Sequence, residues 1–352
     1  MHLRKFLIIL LIPFCLFAQQ EEIVSYLKNI SVTRISSDGE NLWIATNGNG
    51  IFQFNLASEK FTQYSTQQGN LQMDLFHSIA ASKDFVWAGS TDGLFIFDKK
   101  NNNWSRRKFS LGGIYANWIR ALAFDEKENV LWIGRFKYLT KFDLSTKKYT
   151  DYDLTIRNND RTNNIKSLLV DGNYLWIGTE AGLHRYDKRK DFNEKDARLF
   201  FDTKNNSFNG DGDQVSISSL LSERDYLWVG LDEFITDERP EFNVGGLFRF
   251  DKQNEWLLFD ATKGMTGNGV FSLERTGNYI WASLYQFGKA TKEYFGRGIV
   301  LINRVTNQVI PINDERLPRI IYSIYFDGTN LWLGTENGLI KINFFNKLAK
   351  WK

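Results

Sequence analysis

The sequence predicts an all-β fold, a seven-bladed β-propeller of four-stranded antiparallel blades, and three observations carry that expectation. Tryptophans recur as Trp43, Trp87, Trp132, Trp176, Trp228, Trp281 and Trp332, at separations of 44, 45, 44, 52, 53 and 51 residues. Each follows Leu, Val or Ile, and each has a small residue two places on: Ala45, Gly89, Gly134, Gly178, Gly230, Ser283 and Gly334. Between tryptophans the chain breaks into short apolar segments that alternate with period two and are bounded by turn residues. Four strands per repeat, with an aromatic and a small residue at fixed places, are the signature of a propeller blade. The tryptophan packs between neighbouring sheets, and the small residue lets the backbones approach.

Taken in order, residues 1–18 read as a targeting segment. His2, Arg4 and Lys5 form a basic start, Phe6–Phe17 is apolar, and Ala18-Gln19 offers a cleavage point. The apolar run is short for a membrane span. Ile12-Pro13-Phe14 is bulky where a lipidated Cys15 needs small neighbours, so secretion with cleavage is the expectation. Residues 19–352 then form one propeller domain with no transmembrane span. Cys15 is the sole cysteine, so the mature chain has no disulfide, cysteine nucleophile or thiolate metal site. Without Arg4 and Lys5 it holds 42 basic against 41 acidic residues. That balance argues against nucleic acid as a partner. Only four prolines occur and no linker is visible, so repeat stacking accounts for the length.

The fourth unit shows the four strands most clearly, as Ile165–Val170, Tyr174–Thr179, Leu183–Tyr186 and Arg198–Phe201, with no capped pattern long enough for a helix. An aliphatic residue stands eight places before Trp in six units; the third carries two extra residues in Asp125–Asn129 and uses Leu122. For ring closure two terminal segments read as a fourth strand, Glu22–Leu27 and Lys347–Trp351, and either completes the seventh blade.

The motif Leu175-Trp176-Ile177-Gly178-Thr179, with Gly182-Leu183 and Tyr186-Asp187, resembles the two-component regulator propeller repeat. Leu331-Trp332-Leu333-Gly334-Thr335 with Gly338-Leu339 repeats it, while Trp281-Ala282-Ser283-Leu284 departs from it. That family forms extracytoplasmic sensor parts of hybrid histidine kinases, and the resemblance covers essentially the whole mature chain. Family sensors continue into a further β-domain, a membrane span and a kinase. The resemblance therefore implies the repeat fold and not the kinase role.

Loops between strands two and three, and between blades, emerge on one face of a propeller. There the chain varies most: Asp232–Gly245 and Tyr285–Arg297 within blades five and six, and Gln67–Phe76, Thr155–Asn164 and Lys204–Gln214 between blades. Loops on a rigid scaffold carry function. Starts of first strands and ends of second strands then give His77, Trp118, Arg120, Arg135, Glu180, Asp232, Tyr285, Arg319, Tyr322 and Glu336 as ligand-binding candidates at the channel mouth. Arg135 replaces the Thr of the repeat, and its fork suits a carboxylate or a pair of hydroxyls; the bland alternative is a structural ion pair. Phe234, Phe242, Tyr294 and Phe295 stack on a ligand or stiffen their own loops. Asn209-Gly-Asp211-Gly-Asp213 starts like a calcium loop. Gln214 and Leu220 then stand where its Gly and bidentate Glu belong, so a solvated turn is expected. His77 and His184 are too few for a zinc site, and His184 faces its neighbours in the sheet.

The expected function is a secreted or periplasmic binding module. It takes a glycan fragment or a segment of a partner protein on the long-loop face, as a monomer and without catalysis, metal or cofactor. The alternatives are a lyase or hydrolase acting on an extracellular polymer through His77, Arg135 and a mouth tyrosine, and an envelope scaffold.

Overall fold

In the second strand of each repeat, apolar and small residues occupy both faces of the sheet, so both faces need a partner. Asn41–Thr46, for example, is buried at every one of its six positions. A ring of sheets satisfies this, since each blade then lies between two others.

The computed structural model describes residues 23–240 and 242–343, which form seven four-stranded antiparallel sheets. Strands are named a to d from the axis outward. The a strands are Val32–Ser37, Ser78–Ala81, Ile119–Asp125, Ile165–Asp171, Ile217–Ser222, Gly269–Thr276 and Ile321–Phe326. Blade four is Ile165–Asp171, Tyr174–Thr179, Gly182–Asp187 and Arg198–Phe201, within a residue of the expected spans. Among the described residues, helix is confined to 3-10 segments of three or four residues, and none is long and apolar enough to cross a membrane. Residues 1–18 and Lys347–Trp351 lie outside the described residues. Strand d of blade seven is Ile23–Tyr26, paired from Ile23↔Ile342 to Tyr26↔Leu339, so the N-terminal candidate closes the ring.

Seven apolar clusters correspond to seven seams. Trp43 packs into blade two against Ile79, Val86 and Phe97. Trp176 packs into blade five against Ile217, Leu227, Val229 and Phe250, and Trp332 returns to blade one against Val32, Leu42 and Ile44. All seven tryptophans are at most 1% exposed. The glycine two places on is a spacing device: a methyl on Gly178 would fall 2.6 Å from Ile217 Cγ2 of the next blade. The following Thr is a turn clamp, with Oγ1 of Thr46, Thr179 and Thr335 donating to Gly50, Gly182 and Gly338 carbonyls at 2.6, 2.8 and 2.8 Å.

Burial leaves each indole N–H needing an acceptor. Five places before Trp, Asp38, Asp171, Glu223 and Asp327 accept it at 2.7, 3.1, 2.9 and 2.6 Å. A cation from the following blade shares three of these acids: Lys99 with Asp38 at 2.5 Å, Lys252 with Asp171 at 2.8 Å and Arg304 with Glu223 at 3.0 Å. Four of the seven apolar seams are thus tied polar-side by a carboxylate, while the Trp281 indole donates instead to the Thr276 hydroxyl at 2.6 Å.

Blade six departs from the expected loop. Tyr285–Arg297 is largely a continued hairpin, because strands b and c run as Tyr279–Gly288 and Glu293–Asn303. The pairing continues through Gln286↔Phe295 and Phe287↔Tyr294. Alternating aromatics at Tyr285, Phe287 and Tyr294 give the extension its own packed face, with Tyr285–Tyr294 and Phe287–Tyr294 centroids at 5.0 and 5.3 Å.

Candidate functional site

The mouth is built by a backbone irregularity repeated around the ring. In six blades the a–b register slips by one residue near the start of strand a, as between Val32 and Arg34 or between Ile165 and Ser167. Such a bulge bends the strand and re-aims the extra side chain. The extra residue lies ten places before Trp, or twelve in blade three, giving Thr33, Arg120, Lys166, Ser218, Phe271 and Tyr322. His77 holds the equivalent place in blade two, and all seven line one cavity of about 460 Å³.

The cavity has two unlike walls. On blades five to seven Phe271 lies 4.4 Å from Tyr285 and 5.4 Å from Tyr322, centroid to centroid. The Tyr285 hydroxyl donates to Asp232 at 3.0 Å; burial, and then the Asp232 charge, push its pKa well above the usual tyrosine range. On blades one to four stand Arg34, His77, Arg120 and Lys166. Lys166 pairs with Asp232, which also accepts the Ser216 hydroxyl at 2.6 Å. Burial alone raises the Asp232 carboxyl, but Lys166 and these bonds bring it below the ordinary aspartate value. Arg120 donates to Glu180 at 2.8 Å and lies over Trp118 and Phe136 at 5.5 and 5.4 Å. Trp118 itself stacks on Phe136 at 5.1 Å. These groups offer stacking faces, hydroxyls and cations to one guest.

Six of the ten expected residues line the cavity: His77, Trp118, Arg120, Asp232, Tyr285 and Tyr322. Glu180 stands behind them, joined through Arg120 and bonded to Asn164 at 3.0 Å. The exposed Arg319 opens instead onto a cleft with Arg297 and Glu315, and Glu336 is an exposed rim residue. Arg135 is corrected most sharply. It is 0% exposed, donates to Leu111 O at 2.6 Å, pairs with Asp151 at 2.9 Å and lies over Phe109 at 4.9 Å. It ties the loop between blades two and three to blade three and does not reach the mouth. Thr33, Arg34, Lys166, Ser218 and Phe271 were missed, although constant distance from Trp marks all but Arg34.

Of the loop aromatics, Phe234 packs on Phe287 at 4.7 Å and on buried Phe242 at 6.4 Å; Tyr294 and Phe295 remain 52% and 44% exposed. Asn209–Asp213 winds through a short 3-10 segment with Phe208 and Asn209 left-handed. Among the described residues no group of three or more His, Cys, Asp or Glu side chains is placed to hold a metal.

His184 is buried, with Nε2 2.9 Å from Thr162 O, and burial lowers its pKa to about 4. His77 is also lowered to about 4, by burial and then by the Arg120 and Arg34 charges. An unfolded histidine titrates near 6.5, so between these values the unfolded chain binds more protons than the folded one. Stability should therefore be complete above about pH 6.5 and decline as the pH falls toward 4. Urea midpoints at about pH 7 and pH 5 test this, and His77→Gln should make the difference between them smaller.

No protein-family model matches the chain. A curated relative, histidine kinase P4 of Formosa agariphila, is 25% identical over 185 residues, which are 48% of this chain and 13% of that protein. Among solved structures, the extracellular domain of the BT4673 one-component system of B. thetaiotaomicron matches with TM-score 0.65 at 19% identity, over 92% of this chain and 40% of its own. The extracellular domain of the hybrid two-component system BT3049, from the same organism, matches with TM-score 0.65 at 16% identity, over 91% and 41%. Virginiamycin B lyase from Staphylococcus aureus matches with TM-score 0.64 at 14% identity, over 92% and 98%. The chain thus spans about two fifths of the extracellular domains it resembles. At these identities the likeness establishes the fold alone, a seven-bladed propeller.

Proposed function

We propose that the protein is an extracytoplasmic recognition module that binds a glycan fragment or a peptide segment at the channel mouth without transforming it. One observation carries this reading: seven equivalent side chains, six of them re-aimed by a bulge, converge on a cavity of about 460 Å³, inside the usual range for small-ligand sites. An aromatic wall faces a cationic one across it, with hydroxyls between them, and the long loops rise on the same face. A ring tied at seven seams leaves little to order on binding, so affinity is not spent on rearrangement. The likeness to extracellular domains and the leader-like residues 1–18 support the location.

A thermal-shift screen against oligosaccharides and peptides tests the reading, because a ligand of the folded state alone raises the melting temperature. Tyr322→Ala, on the cavity wall, should weaken a hit at least about tenfold, the scale of a lost stacking face and bond. The unliganded melting temperature should hardly move. Turnover of the hit compound, or undiminished affinity in this variant, would overturn the proposal.

A further inference from the structure

The charge in the cavity points to the class of its ligand, an inference that rests on the recognition reading above. One place after the bulge, six blades carry a small residue: Ser78, Ala121, Ser167, Ser219, Ser272 and Ser323. The seventh carries Arg34. Its guanidinium lies where the mouth cavity meets a narrower channel space of about 220 Å³ beneath it. Nη1 donates to Tyr322 O at 2.7 Å and Thr33 O at 3.2 Å. Among the described residues no carboxylate oxygen lies within 4.0 Å of it. The two neighbouring cations are different, since Arg120 has Glu180 and Lys166 has Asp232. Among the described residues Arg34 is therefore the cavity cation without a carboxylate partner.

Arg34 is partly buried at the cavity wall and its two acceptors are neutral carbonyls, so part of its hydration is lost without a compensating charge, and an arriving anion relieves that cost. Its planar fork matches a carboxylate with two parallel hydrogen bonds. Through the Tyr322 carbonyl, Arg34 sits at the foot of the aromatic wall of Phe271, Tyr285 and Tyr322. A ring with a C–H face for that wall and an acid on its edge satisfies both features at once, whereas a flexible acidic side chain satisfies only the charge.

We infer that the cavity recognises an acidic sugar, with its carboxylate seated on Arg34 and its ring against the aromatic wall. Calorimetric titration tests this with trimers of galacturonate, glucuronate and mannuronate, each beside its carboxyl-reduced neutral counterpart, and with a tri-glutamate peptide. One of the acidic trimers should bind, and its neutral counterpart should bind roughly 10- to 100-fold more weakly, the range of a charge-assisted hydrogen bond. Arg34→Ser, which installs the residue of five other blades, should erase that difference with the melting temperature retained; Arg34→Lys should restore part of it. Equal binding of acidic and neutral trimers, or an unchanged acid affinity in Arg34→Ser, overturns the carboxylate seat and leaves sugar recognition standing. Arg34-dependent binding of the peptide with neither sugar overturns the sugar and leaves the recognition reading intact. Silence from all the probes overturns this inference and, joined to a silent thermal-shift screen, the reading beneath it.

Discussion

Trp176→Ala is expected to lower the free energy of unfolding by about 3–5 kcal/mol, the cost of truncating a buried tryptophan to a methyl. The side chain is 0% exposed and lies in the seam between blades four and five against Ile217, Leu227, Val229 and Phe250. Beta-strand seams have no way to slide inward across an emptied position without breaking their own ladders, so the void persists. The truncation also strands a polar group: Asp171 loses its indole donor at 3.1 Å and keeps Lys252 at 2.8 Å. Urea unfolding of the variant measures the loss. A change below about 1 kcal/mol, the size of an ordinary surface substitution, would mean that the seam is not a unit of stability and that the blade alignment is wrong.

Arg135→Ala should cost about 2–4 kcal/mol, within the range for truncating a long buried side chain, and should leave ligand affinity as it was. Truncation empties the space of a fully buried side chain and leaves the Leu111 carbonyl without its donor, while Asp151, exposed and still accepting from Thr140, only loses its cation. The substitution also opens a space under Phe109, over which the guanidinium lies at 4.9 Å. Burial lowers the Arg135 pKa, with Asp151 acting in the opposite direction; the residue is held as a cation inside the protein and not offered to solvent. Melting curves and titrations on the same preparation separate the two roles. Lost affinity with an unchanged melting temperature would return Arg135 to the mouth.

The ring was legible in the sequence because every blade must solve the same packing problem, and Trp with a small residue two places on is the recurring solution. Strand spans in blade four followed from alternation and turn residues alone. Arg135 was misplaced because departure from the repeat was taken as a sign of function without asking which way the position faces. Strand b alternates: Leu131 and Ile133 pack on Trp87 of blade two, so residue 135 faces the same seam. Residues one place later reach the mouth, as Asp232 and Tyr285 do. The bulge was invisible for a different reason, since one extra backbone residue leaves no mark in composition. Only counting back from each Trp brings Lys166, Ser218 and Phe271 into line with His77 and Tyr322. The hairpin of blade six read as a loop because its length, and not its aromatic alternation, was weighed.

The pairing of Ile23–Tyr26 with Gly338–Asn343 also sets a timetable for the newborn chain. The strand made near the beginning docks only after the last repeat has appeared, some three hundred residues later, and contacts so distant in sequence form slowly. Until then blade seven is a three-stranded sheet with a bare edge, open to any other extended chain. Synthesis that stops early yields stacked blades without a circle, and such intermediates are the ones most exposed to aggregation. The circle is therefore fastened by a strand that precedes all seven a strands in the chain, and deletion of Ile23–Tyr26 would leave it unlatched.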